Sequence, residues 1–141
     1  MNNKDFIEEK INLYFCTLDH NCAETVLEML SEKFDFPLDK QVIYAAAAHN
    51  GLGQYRAQCG LITGAVMFIG IVAQSQGRDK DYINAITYGL AEIFDKSFGA
   101  LDCRTLRPAG FKEDNPPNIC KPLAIDALAL IIDYIENSDL F

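Results

Sequence analysis

The sequence has no pair of cysteines separated by two residues. That absence excludes a thioredoxin-type motif and the usual C-x-x-C-H haem attachment. A P-loop is also missing, as are dinucleotide-binding glycines between a strand and a helix; Gly51-Leu52-Gly53 alone carries no such meaning. Positive charge is scarce: 12 Lys and Arg stand against 20 Asp and Glu, for a net charge of −8 and a pI of about 4.6. A surface this acidic repels phosphate backbones, so no nucleic-acid partner is expected. No apolar run reaches membrane length. The longest, Leu61 to Ala73, is broken by Gly64 and Gly70 and falls short of the roughly 20 residues a span needs. It reads as a buried core helix, without membrane insertion. The start, Met1-Asn2-Asn3-Lys4-Asp5, leads into an amphipathic stretch instead of the apolar region of a signal peptide. The expected compartment is therefore the reducing cytoplasm.

Against these absences stand five cysteines, Cys16, Cys22, Cys59, Cys103 and Cys120. In a reducing compartment, spaced cysteines more often mean metal or redox chemistry than structural disulfides. Cysteine is also a common buried residue, which is the bland reading of any single one. Half of the 141 residues are hydrophobic, enough for one folded domain with its own core.

The apolar periodicity is helical throughout. Asp5 to Phe15 places Phe6, Ile7, Ile11, Leu13, Tyr14 and Phe15 in a helical pattern, and Asp19-His20-Asn21 breaks it. Asn21 with Glu24 forms a capping-box pattern that starts a helix from Cys22 to about Phe34, burying Val26, Leu27, Leu30 and Phe34. A third helix runs from Gln41 to about His49, ended by Asn50-Gly51. After the loop Gly51 to Gln58, a fourth runs from Cys59 to near Gly77. Asp79 caps a fifth, with Tyr82, Ile83, Ile86, Leu90, Ile93 and Phe94 on its apolar side and Gly99 as its stop. Asp102 caps a single turn, Cys103 to Leu106, stopped by Pro108. Ala109 to Asn118 reads as a loop, and Asn118 caps a last helix, Ile119 to about Asn137, with Pro122 tolerated in its first turn. The expected fold is all-α: one compact domain, residues 1–141, bundled from about five or six helices.

One regularity follows. Cys22, Cys59, Cys103 and Cys120 each fall in the first turn of an expected helix, and Cys16 does not. Free N–H groups and the positive end of the helix dipole favour an anion there, and a thiolate is one. Cys59 is thus expected to titrate below the free-thiol value of about 8.5. Basic residues lie nearby: Arg56 before Cys59, Arg104 and Arg107 after Cys103, Lys121 after Cys120 and His20 before Cys22. His20 and His49 are candidates for a base or a ligand, although a structural role is the commoner fate. Gly60 and Gly64, four apart on one face, invite close approach of another helix or a second chain, so a homodimer stays open.

These residues resemble the C_GCAxxG_C_C family of small redox-active proteins. Cys22 in Asn21-Cys22-Ala23 matches its first cysteine, and Cys59-Gly60-Leu61-Ile62-Thr63-Gly64 its C-G-A-x-x-G motif. Cys103 matches the third and Cys120 the fourth. Leu61 stands where the motif has Ala, and Cys16 lies outside the pattern. The resemblance covers nearly the whole chain and implies redox or metal-linked thiol chemistry, without naming a substrate.

Two function classes stay open. One is a thiol-dependent oxidoreductase or redox carrier, with Cys59 the foremost nucleophile and Cys22, Cys103 and Cys120 able to resolve it through a disulfide. Its partner would be an unidentified redox protein or small molecule. The other is a binding protein whose four thiolates, Cys22, Cys59, Cys103 and Cys120, hold zinc or an iron–sulfur cluster. Metal sites usually draw two ligands from one short segment, which these do not. A helical interaction domain with inert thiols ranks below both.

Overall fold

The structure is a computed structural model, and it describes residues 2–107 and 120–141. Seven α-helices occur among them: α1 Asn3–Ile11, α2 Cys22–Lys33, α3 Lys40–Ala46, α4 Gly60–Ser75, α5 Lys80–Phe98, α6 Cys103–Leu106 and α7 Lys121–Glu136. No strand occurs among the described residues. Seven exceeds the expected five or six because the short pieces, α3 and the single turn α6, are helices in their own right. The expected stop at Pro108, the loop Ala109 to Asn118, the Asn118 cap and the start at Ile119 lie outside the described residues.

Caps account for most boundaries. Asn2 accepts the Asp5 N–H and starts α1. Asn21 and Glu24 form the expected capping box on α2. Asp79 and Asp102 accept the Tyr82 and Thr105 N–H groups at α5 and α6. Gly99 ends α5 at φ 84°, in the left-handed region. Two boundaries differ from the sequence expectation by three residues or more. After Ile11 the first helix widens into a π-helical turn, Asn12–Thr17, which holds Cys16. The third helix stops at Ala46, because the Asn21 side-chain amide donates to the Ala46 and Ala47 carbonyls, at 3.0 and 2.8 Å. Carbonyls satisfied from outside have no need of a further helical turn.

α4 is the central helix. Leu61, Ile62, Ala65, Phe68, Ile69 and Val72 are all buried in it. α2 packs along it with Ala23, Val26 and Leu30, α5 with Ile86, Leu90 and Phe94, and α7 with Leu128, Ile131 and Ile135, in one shared core. Two expected core positions are corrected: Leu13 and Ile93 are 38% and 41% exposed, because α1 gives way to the π-turn before Leu13 and Ile93 sits at the edge of the α5 stripe.

The glycines of α4 make its contact with α2 possible. A Cβ on Gly64 would lie 2.7 Å from the Ala23 carbonyl oxygen and 3.0 Å from Val26 Cβ. On Gly60 it would lie 2.5 Å from the His49 carbonyl oxygen and 2.9 Å from Cys22 Cβ. The small face is therefore filled by a helix of the same chain, and the homodimer once open there has no room on it. Gly64→Ala should destabilise by about 1–3 kcal/mol, since backbone must move to admit the methyl group. Chemical denaturation measures this, and an unchanged midpoint would mean the two helices separate freely.

Candidate functional site

The helix starts converge where α2, α4, α6 and α7 begin. Asn21 caps α2 and also ties the end of α3, which holds Cys22 as the first residue of its helix. Gln58 and Asp102 pair across an isolated antiparallel bridge. There the Cys59 N–H donates to the Leu101 carbonyl at 2.8 Å, and the Cys103 N–H donates to the Ala57 carbonyl. This bridge sets Cys59 beside Cys103. It also draws the Cys59 backbone out to an extended φ and ψ, so α4 begins at Gly60 and Cys59 is its N-cap instead of lying in its first turn. Cys103 is the first residue of α6, and Cys120 immediately precedes α7.

The loop beneath them is unusual. Gly51, Leu52, Gly53 and Gln54 are four consecutive residues with φ between 61° and 72°. This single left-handed turn carries a steric cost of roughly 1–2 kcal/mol at each of Leu52 and Gln54. Glycine is needed at 51 on two counts: its φ is positive, and a Cβ would sit 3.3 Å from Cys103 Cβ. The Gly51 carbonyl accepts the Arg56 and Ala57 N–H groups. Arg56 then donates to the Arg104 and Arg107 carbonyls, at 3.1 and 2.8 Å, clamping α6 in place.

All four motif cysteines line one narrow cavity of about 20 Å³, together with Gly51, Gly60 and Arg107. Electrostatically every pair of them is coupled: Cys22 feels Cys59, Cys120 and Cys103, Cys59 feels Cys103 and Cys120, and Cys103 feels Cys120. All are free thiols, and Cys16 lies in the π-turn outside the cavity lining, its thiol directed at Asn12. Arg107 Nη1 donates to Cys120 Sγ at 3.3 Å. Of the other basic residues near these cysteines, Arg56 lowers Cys103, whereas Arg104 donates to the Tyr55 carbonyl and Lys121 to Asn12. Arg107 acts on Cys103, its neighbour in sequence, and the fold also brings it across 13 residues to Cys120.

The expectation of a lowered thiol pKa is overturned. Burial pushes the Cys59 thiol up to about 11, while the Leu61 and Ile62 N–H groups at the start of α4 pull it down only in part. Cys22 is pushed well above the ordinary thiol range by burial, then by Cys59 and Cys120, with Arg107 opposing. Cys103 and Cys120 are also raised by burial; Arg107 opposes this at both. A helix start does favour the thiolate, but losing water costs a buried anion more than one turn of N–H groups returns.

The four thiols do not form a ready metal cage. No group of three or more His, Cys, Asp or Glu side chains able to hold a metal ion occurs among the described residues. The cavity has space for about one water molecule, far less than an iron–sulfur cluster needs. As placed, the residues fit neither zinc nor a cluster.

The family described as "putative redox-active protein (C_GCAxxG_C_C)" matches residues 20–134. The chain belongs to this family. No curated protein and no solved structure matches it. In this C_GCAxxG_C_C member the matched segment contains all four cavity cysteines and leaves out Cys16, which is not part of the cavity lining. Leu61, where the family motif has Ala, is 1% exposed and lines the cavity wall. Among the described residues, no helix is long and apolar enough to cross a membrane.

A second, open cavity of about 400 Å³ adjoins the first and shares Cys22, Asn50 and Arg107 with it. His20 lines it too, stacked on Tyr14 with ring centroids 5.6 Å apart. His49 instead contributes its backbone, its carbonyl facing Gly60. Asn50 and Gln54 were not legible as site residues. Asn50-Gly51 reads as a helix stop, and nothing in the sequence shows that the stop faces Cys22.

Proposed function

We propose that this protein carries electrons by reversible disulfide formation among Cys22, Cys59, Cys103 and Cys120. The observation behind this reading is the gathering of four free thiols, each from a different helix start, around one cavity too small for an iron–sulfur cluster. Cys59 is the foremost nucleophile, since two backbone N–H groups favour its thiolate. Cys22 is the partner we assign to it: Cys22 Cβ packs on Gly60, the residue after Cys59, and Cys59 is the thiol that raises Cys22 most. In the oxidising direction both thiols lose a proton, an S–S bond forms, and two electrons leave to an external acceptor. Raised pKa values keep the centre protonated and quiet near neutrality, until a partner or a higher pH draws a thiolate out.

The test begins with reduced, metal-free protein treated with diamide as the oxidant. Two thiols of the four should be lost without change in mass-state from one chain to two. Peptide mapping should find the link inside the set of four, and dithiothreitol should restore it. Cys59→Ser should abolish the Cys22–Cys59 link. Persistence of all the thiols, or a link through Cys16 between chains, would sink this reading. Stoichiometric metal in the isolated protein, with alkylation only after chelation, would replace it with a metal-binding role.

A further inference from the structure

The narrow cavity explains where the thiols meet but gives nothing room to reach them. The adjoining cavity does. Its volume of about 400 Å³ falls in the range of small-molecule sites. It also reaches Cys22, the most exposed of the four cysteines taken as whole residues. Cys22 is half-buried and belongs to both cavities, whereas Cys59, Cys103 and Cys120 are 5%, 8% and 8% exposed.

Its walls are polar and carry both signs of charge. Arg107 lies at the inner end, beside Cys22 and Asn50. Asp19 and Glu24 supply carboxylates, and Glu24 accepts the Asn21 N–H at 2.9 Å. Asn50 and Gln54 add neutral amides. His20 Nδ1 is buried without a hydrogen-bond partner among the described residues. A buried ring nitrogen without a partner is costly, and here it belongs to a residue of the cavity wall. An apolar ligand would leave these groups unsatisfied. A purely anionic one would meet two carboxylates, and a purely cationic one would meet Arg107.

We propose that this cavity admits a small zwitterionic thiol of the amino-acid type, which reduces a Cys22–Cys59 disulfide by attacking Cys22. The inference rests on the thiol–disulfide reading above. The incoming thiol gives up its proton, and its sulfur bonds to Cys22 Sγ. The Cys22–Cys59 bond breaks, and Cys59 leaves as a thiolate. That direction suits the geometry, because the Leu61 and Ile62 N–H groups favour the departing charge at the start of α4. Cys59 then takes up a proton. A second small thiol attacks the sulfur of the first, releasing a small disulfide and returning Cys22 to a thiol. In sum, two small thiols become one disulfide, and the protein gains two electrons and two protons. The ammonium group of the ligand faces Asp19 and Glu24, and its carboxylate faces Arg107.

The experiment uses the full chain with Cys16→Ser, oxidised by diamide and freed of oxidant. Cysteine, mercaptoethanol, mercaptoacetate and cysteamine are compared as reductants, each rate divided by its thiolate concentration. Cysteine should be at least about tenfold faster than the other three, as two charge-assisted contacts allow. Asp19→Asn should shrink that preference about threefold, the scale of an exposed charge contact. Asparagine suits the position, because Asp19 has φ 55° and Asn tolerates left-handed backbone. In the further variant Cys59→Ser, cystine should leave its half on Cys22, found by peptide mass mapping. Equal normalised rates for the four reductants, or adducts on Cys103 or Cys120 in place of Cys22, overturn the port while leaving the disulfide chemistry intact. Failure of diamide to form any intramolecular disulfide overturns both.

Discussion

Alkylation of Cys59 in the folded, reduced protein should show an inflection near pH 11, well above the ordinary thiol range. At pH 8 a thiol two units above the ordinary value is about a hundredfold less ionised. The more basic thiolate recovers part of this through greater intrinsic nucleophilicity. The net rate should be about tenfold lower than in urea-unfolded protein, rising about tenfold per pH unit below the inflection. Mass spectrometry of the Cys59 peptide after timed alkylation reads both quantities. A plateau at or below the ordinary value would mean that the α4 N–H groups outweigh burial.

The same shift links folding to pH. A pKa raised in the folded state means the native protein binds more protons than the unfolded chain between the two values. Stability is therefore fully present below the unfolded pKa and lost as pH rises through the folded one. For Cys59 the window runs from about 9 to about 11, and two units correspond to about 2–3 kcal/mol. Cys22, Cys103 and Cys120 are raised as well, so their contributions have the same sign. Denaturation midpoints should fall steeply above pH 9. A Cys22–Cys59 disulfide should remove the share of that dependence due to these two thiols, because a disulfide has no proton to lose, and leave the share of Cys103 and Cys120.

Asn21→Ala should produce the largest stability loss of any single polar substitution near the site. It deletes the acceptor for the Glu24 N–H, worth about 0.5–2 kcal/mol as a cap. It also strands the Ala47 carbonyl, whereas the Ala46 carbonyl keeps the His49 N–H; this costs a further 1–3 kcal/mol or so if water does not replace the amide. A total of about 2–4 kcal/mol is expected, read from denaturant unfolding. Because Cys22 is the next residue, diamide oxidation should also lose its preference for the Cys22–Cys59 link. Loss of stability below 0.5 kcal/mol or so would show that water or Glu24 takes over the cap.

Much of the fold was legible because helix signals are local. A capping side chain reaches only three residues along, as Asn21, Asp79 and Asp102 do to Glu24, Tyr82 and Thr105. The α4 glycines declared a close contact, but not whether α2 or a second chain would fill it. The π-turn at Asn12–Thr17 and the left-handed turn from Gly51 to Gln54 were not legible. Both depend on what packs around them: Leu52 and Gln54 carry no intrinsic preference for positive φ.

The amino-acid sequence by itself determined that the helices exist, and that four of five cysteines stand at or beside helix starts. Those properties depend on hydrogen bonds and dipoles within a few residues. Only the tertiary structure decided which thiols share a cavity, that Arg107 reaches Cys120, and that Cys22 faces the open side. It also decided the sign of the Cys59 shift. A helix start acts over one turn and favours the thiolate, whereas desolvation depends on how much protein from distant segments excludes water. Here residues from α2, α6 and α7 close over Cys59, and their burial outweighs the turn on which it sits.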